Sequence, residues 1–176
     1  DSYASMIKAI EHAAATLDAK ADIRWIDTTD LASEADAAKA LDGTDGIIVP
    51  GGFGARGTEG KIACIRYARE NYLPYLGLCL GFQMAVVEFS RNVCGLAGAN
   101  STEIQSDTPH PVIDLLPEQR DVKALGATMR LGGHDVEIIP GTLASRMFRG
   151  ARSVRLRFRH RYEVNPDYIE RLQAGG

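Results

Sequence analysis

The residues best suited to chemistry lie in the stretch Tyr75-Leu76-Gly77-Leu78-Cys79-Leu80-Gly81-Phe82-Gln83. Its centre, Gly77-x-Cys79-x-Gly81, has the spacing of a nucleophile elbow with cysteine in place of serine. Two glycines around one residue let a strand turn sharply into a helix. The middle residue is then held in a strained backbone conformation with its side chain pushed out of the turn. A cysteine there sits at a helix N-terminus, where the dipole and free N–H groups favour thiolate over thiol. The competing reading is a buried filler cysteine, which gives no reason for a glycine on both sides. A thiolate at such a turn attacks a carbonyl carbon, and the oxygen that gains charge needs two N–H donors. One comes from Leu80, the residue after the nucleophile. The other can come from a second glycine-bearing strand end, Gly51-Gly52. The same region, Gly52-x-Gly54-x-x-Gly57, also fits a dinucleotide phosphate loop, a spacing that is not specific by itself. The nearby cysteine elbow favours acyl chemistry.

These two strand ends need a scaffold that brings them to one edge. Tyr3, Ile7, Ile10, Ala14 and Leu17 form one apolar stripe and predict a helix over Asp1 to Lys20. Ile23 to Ile26 reads as a short strand, Leu31 to Leu41 as a helix, and Gly46 to Pro50 as an apolar strand. Thr58 is a candidate cap for a helix over Glu59 to Glu70, with Ile62, Ala63 and Ile65 facing inward. The strand into Cys79 follows, then a helix over Met84 to Arg91. Apolar strands alternating with amphipathic helices predict an α/β fold: a doubly wound, mostly parallel sheet with helices on both faces. In such sheets the active site lies at the carboxyl ends of the strands, where both glycine-bearing ends fall. The chain opens on a helix, so the first strand of a doubly wound domain is expected to lie outside these residues.

Beyond Asn100 the pattern changes. Asp107 to Pro111 reads as a loop. Thr128 to Leu131 and Val136 to Ile139 flank Gly132-Gly133, which predicts a hairpin turning at the glycines. Thr142 can cap a short helix. Val154, Leu156 and Phe158 alternate with Arg155, Arg157 and Arg159, a strand with one basic face. Asn165-Pro166 starts a last helix. No repeat or second domain is legible.

The bulk numbers are those of an ordinary globular chain. It has 176 residues, 45% hydrophobic and 24% charged, with a net charge of -3. That charge argues against a nucleic-acid or membrane surface, and no apolar run approaches the ~20 residues that span a bilayer. Cys64, Cys79 and Cys94 lack metal or disulfide spacing, which fits a reducing, cytoplasmic compartment.

The stretch Pro50-Gly51-Gly52-Phe53-Gly54-Ala55-Arg56-Gly57-Thr58-Glu59-Gly60-Lys61, followed by Leu76 to Gln83, resembles the class I (triad) glutamine amidotransferase domain. Within that class it is most similar to the glutaminase domain of the CTP synthase family. Ala99 to Glu103, Thr128 to Gly132 and Arg159-His160-Arg161-Tyr162-Glu163-Val164-Asn165 match further signatures in the family's order. The resemblance implies a flavodoxin-like glutaminase fold and glutamine as substrate. Cys79 would attack the side-chain amide carbon, release ammonia and hold a glutamyl thioester. Gly52 and Leu80 would form the oxyanion hole. Gly52, Leu80, Gly81, Phe82, Gln83, Glu103 and Arg161 would bind glutamine, with Glu103 on the ammonium and Arg161 near the α-carboxylate. It further implies an N-terminal synthetase domain in the same polypeptide, where ammonia aminates UTP activated by ATP with Mg2+, stimulation by GTP, and a homotetramer when full length. No cofactor or metal is expected in the glutaminase domain itself. Singly, Glu103 also suits a turn-capping carboxylate, and the neighbouring arginines suit a solvated face.

Three departures qualify the match. The family's Phe-His-Pro-Glu type motif follows none of His12, His110, His134 or His160, so no catalytic histidine is assigned. The chain is therefore expected to be a single glutaminase domain that lacks its first strand and its C-terminal His-Glu segment. Glu118 to Leu125 is shorter than the family's lid segment. Phe158 stands where the family has a second histidine. The alternatives are the glutaminase of another amidotransferase, such as GMP synthase, and a non-catalytic homologue serving as a binding module.

Overall fold

A computed structural model describes residues 3–31, 33–115 and 130–176. The chain divides into two compact units, Asp1–Ala97 and Gly98–Gly176. The proposed lid segment, Glu118 to Leu125, and the signature residues Thr128 and Met129 lie outside the described residues.

The first unit opens with α1 (Ala4–Thr16). Its stripe is covered at Ile7, Ile10 and Ala14, whereas Tyr3 and Leu17 at its two ends are exposed. The Tyr3 ring instead meets Trp25, centroids 5.5 Å apart. The strand expected over Ile23 to Ile26 does not form among the described residues. Its Arg24 side chain is drawn away to the end of α2 (Glu34–Leu41), where it donates to the Ala40 and Asp42 carbonyls at 2.8 and 2.9 Å. Those carbonyls have no partner inside the helix, so a guanidinium satisfies them. Ser33 and Asp36 close a capping box at the other end of α2.

Then come β1 (Ile47–Val49), α3 (Thr58–Glu70), β2 (Tyr75–Gly77) and α4 (Leu80–Asn92). β1 and β2 pair in parallel, Ile47 to Tyr75, Ile48 to Leu76 and Val49 to Gly77. Val49 is buried, whereas Ile48 and Leu76, side by side in register, are exposed, so the parallel pair is covered on one face only. Ala37, Leu41 and Cys64 form a buried cluster joined by Ile26, Ile47 and Leu73. Ile62 and Ile65 are buried as expected, and Ala63 packs against the cluster. Thr58 is not the cap of α3. Gly57 holds that position at φ 67°, and Thr58 is the first helical residue, its hydroxyl donating to the Ala55 carbonyl at 2.8 Å.

α3 packs on α4 through a buried ion pair. Glu88 has 1% of its side chain exposed and receives Arg69 Nε on both oxygens at 3.1 Å and Nη2 at 2.8 Å, with Asn92 Nδ2 donating at 3.1 Å. Removing Arg69, itself 33% exposed, strands the Glu88 charge away from water. Arg69→Ala is expected to cost about 3 kcal/mol of unfolding free energy, measured by urea denaturation, and Arg69→Ala/Glu88→Gln should recover part of that loss.

In the second unit β3 (Asn100–Ser101) runs parallel to β4 (Pro111–Leu115), and β4 runs antiparallel to β7 (Tyr162–Val164). Part of the expected Asp107 to Pro111 loop is thus the start of a strand. β5 (Arg130–Glu137) and β6 (Ser153–His160) form a separate antiparallel pair. The hairpin expected at Gly132-Gly133 is overturned. β5 runs straight through the glycines, which face Phe158 and Arg157 across the ladder. Pairing with β6 continues across both residues, Gly132 adopts φ 99°, a conformation that favours glycine, and the Arg155 guanidinium lies over Gly133, within 2.8 Å of where a Cβ would stand. The exposed face of β6 carries Arg155, Arg157 and Arg159 as expected. Phe158 sits edge-on to His134 and His160, centroids 5.6 and 5.7 Å away. Thr142 caps α5 (Leu143–Met147), its hydroxyl accepting from the Ser145 N–H. Asn165 caps the 3-10 turn Pro166–Tyr168, which leads into α6 (Ile169–Ala174).

Candidate active site

Cys79 is exposed at the N-cap of α4 with φ 54° and ψ -109°. That is a left-handed φ for a residue with a Cβ, and it costs on the order of 1–3 kcal/mol. The elbow is built from backbone bonds on either side. Leu78 N–H donates to the Val49 carbonyl at 2.9 Å, Gly81 N–H to the Leu78 carbonyl at 2.9 Å, and Gln83 N–H to the Cys79 carbonyl at 3.1 Å. The first of these bonds ties the elbow to β1, so the two glycine-bearing strand ends do meet. A Cβ on Gly51 would lie 3.3 Å from Cys79 Cβ and 3.7 Å from its Sγ. A Cβ on Gly52 would lie 3.3 Å from the Leu80 side chain.

Gly52 and Leu80 therefore flank the thiol. Among the described residues neither N–H is taken by a hydrogen bond. Leu80 is the first residue of α4, so its N–H has no carbonyl to reach within the helix. The Gly51 to Gly57 loop is pinned by Lys61, whose Nζ donates to the Arg56 and Gly57 carbonyls at 3.2 and 3.4 Å. Burial pulls that ammonium below the ordinary lysine range. Phe53 stands 84% exposed on the loop. Gly81 and Gln83 are buried in the first turn of α4 and Phe82 between them is exposed. Tyr75, which sequence reasoning left as an apolar strand residue, donates its hydroxyl to the Gly81 carbonyl at 2.7 Å. The signal available for it was one hydroxyl in an otherwise apolar strand.

Burial pushes the Tyr75 phenol well above its ordinary value of 10.0. The folded chain keeps this proton where the unfolded chain loses it, so stability from this group is full below pH about 10 and falls as pH rises further. Alkaline urea titrations should show a steeper loss above that pH in the parent chain than in Tyr75→Phe.

The remaining site residues belong to the second unit. Glu103 follows β3 in a turn, its N–H donating to Ser101 Oγ at 3.2 Å. Arg161 lies between β6 and β7. Thr102 N–H donates to the Ile113 carbonyl, and Tyr162 pairs with Leu115, so Glu103 and Arg161 sit at the same end of the β3-β4-β7 sheet. Arg161 Nε is buried and, among the described residues, has no hydrogen-bond partner. A buried guanidinium N–H left open is a costly arrangement unless a ligand's anionic oxygen fills it. His110 is packed edge-on against Tyr168, and His134 and His160 against Phe158.

A family model for class-I glutamine amidotransferases matches residues 1–175. The chain belongs to the class-I glutamine amidotransferase family. It is 58% identical over its whole length to a CTP synthase of Thermococcus gammatolerans, of which it covers 32%, and 53% identical to that of Methanococcoides burtonii, of which it covers 33%. The chain thus spans about a third of the curated relatives it matches. A solved Trypanosoma brucei CTPS glutaminase domain with bound acivicin superposes with a TM-score of 0.92 at 41% identity, over all of this chain and 67% of that one. This amidotransferase therefore has the α/β fold expected from its strand and helix rhythm. Among the described residues no helix is long and apolar enough to cross a membrane.

Proposed function

We propose that this chain is the glutaminase domain of a CTP synthase, producing ammonia from L-glutamine in pyrimidine nucleotide biosynthesis. The observation that carries the reading is Cys79: exposed, strained at the start of a helix, and flanked by the open N–H groups of Gly52 and Leu80. Cys79 Sγ attacks the carboxamide carbon, and the two N–H groups hold the oxygen as it gains negative charge. The C–N bond then breaks, the proton given up by the thiol leaves with the nitrogen as ammonia, and water cleaves the glutamyl thioester to glutamate and the free thiol. Phe82 and Gln83, next in α4, line the glutamine site with Gly81. Glu103 takes the substrate ammonium by charge, and the open Arg161 Nε takes the α-carboxylate. No histidine of this chain is given the role of base.

We further propose that this glutaminase works with a synthetase domain in the same polypeptide, in a cytoplasmic homotetramer; CTP synthase relatives three times its length support the first part. ATP with Mg2+ and the activator GTP belong to that full-length enzyme. Among the described residues no three metal-ligating side chains converge, and no step of glutamine hydrolysis is routed through these groups. The full-length CTP synthase relatives favour this reading over a GMP synthase-type glutaminase or a binding module.

The test is intact mass after treatment with a diazo-ketone glutamine analogue, with acivicin as a second probe. The expected result is one adduct that glutamine prevents. Equal labelling of Cys64 and Cys94 would overturn the reading. Arg161→Ala is expected to raise the half-saturating glutamine concentration at least tenfold, as loss of a charge-assisted bond worth about 1.5–3 kcal/mol requires. Initial rates against glutamine concentration measure it, and the rate at saturation should change little.

A further inference from the structure

We propose that Tyr75 is a positioning residue for the nucleophile, its hydroxyl bracing the strained elbow from outside the backbone. The inference rests on Cys79 being the glutaminase nucleophile and adds a residue to that site. Tyr75 lies four residues before Cys79 and bonds the carbonyl of Gly81, two residues after it. The bond therefore closes a ring across the elbow, from the start of β2 to the first turn of α4. The bonds that Leu78, Gly81 and Gln83 make through their N–H groups at the turn run between backbone groups. The brace from Tyr75 is a side-chain bond in a half-buried position.

The space around it is built for this hydroxyl. A Cβ on Gly77 would lie 2.7 Å from Tyr75 Oη, 2.6 Å from the Phe82 N and 2.8 Å from the Gly81 carbonyl carbon. Gly77 is thus open because the phenol and the first turn of α4 converge on the place a side chain would take. Burial also keeps the phenol protonated, so it remains a donor throughout the neutral range. A left-handed cysteine persists only where its surroundings over-determine it. Loosening one brace lets the Sγ and the Leu80 N–H drift apart, and a misplacement on the order of 1 Å costs roughly 10²-fold in rate. Glu103 and Arg161 are carried by other elements, so the larger part of the effect should fall on the rate and the smaller part, through Gly81, Phe82 and Gln83, on binding.

The experiment measures inactivation by the diazo-ketone analogue in the parent protein, in Tyr75→Phe and in a protein carrying 4-aminophenylalanine at 75, which restores an N–H donor. Tyr75→Phe is expected to lower the rate at saturation about tenfold with a smaller change in the half-saturating concentration, and 4-aminophenylalanine to restore most of the rate. Cys64, which is 4% exposed, reports folding in the same spectra. An unchanged saturated rate in Tyr75→Phe overturns the proposal. So does labelling of Cys64 alongside the loss, since the hydroxyl would then serve stability alone. No adduct on Cys79 in the parent protein would instead sink the glutaminase reading itself.

Discussion

Cys79→Ala is expected to remove glutamine hydrolysis to the limit of detection, a loss on the order of 10⁴–10⁶-fold. The magnitude follows from the role. In the proposed role the sulfur forms the bond that splits one hard acyl transfer into two easier ones, a part neither of the other two cysteines is placed to take. Cys64 is buried under α2 and Cys94 lies beyond the far end of α4. The substitution should leave the fold intact, because alanine keeps the Cβ that the turn already accommodates and the side chain it removes is exposed. Ammonia release and a urea midpoint measured on one preparation check both halves. A variant that keeps more than a hundredth of the parent rate would show that another group carries the chemistry.

Gly81→Ala is expected to damage stability and rate together. A Cβ at 81 would overlap the Val49 carbonyl, the same oxygen that accepts from Leu78 N–H. The obstacle is backbone, so no rotamer relieves it. α4 cannot back away, because Leu80, Met84 and Val87 are packed in the core. Relief must come from lifting the first turn of α4 off β1. We expect a loss of about 2–4 kcal/mol in unfolding free energy and roughly 10²-fold in the saturated rate. Urea denaturation and initial-rate kinetics measure them. A parent-like midpoint would mean that α4 does not press on β1 as closely as the structure shows. Gly57, at φ 67°, offers a milder comparison: a substitution there strains the cap of α3 without touching the thiol.

The outcome at individual residues shows which signals in the chain were local. The elbow was legible because its cause is local: two glycines around one cysteine permit a φ that few other sequences tolerate. The helices were legible for the same reason, since an apolar stripe repeats within a single element. Errors fell where a partner outside the element decided. Arg24 left a strand-like stretch to satisfy the end of α2, which nothing within Ile23 to Ile26 announces. Gly132-Gly133 has the composition of a turn, yet pairing with β6 carries the strand through both glycines, Gly132 at φ 99°. Thr58 has the chemistry of a cap and lost the place to Gly57 by one residue.

The sequence by itself determined the elbow that holds the candidate nucleophile, the α/β rhythm and the family, because backbone preference and motif spacing are properties of neighbouring residues. Only the tertiary structure decided that Gly51 and Gly52 lie against Cys79 and Leu80, that Arg69 neutralises Glu88, and that Tyr75 reaches over the elbow to Gly81. These pairings join residues 6 to 28 positions apart through parallel strand pairing and helix packing. Such contacts depend on where the backbone goes after it leaves the element, which no local pattern of side chains encodes.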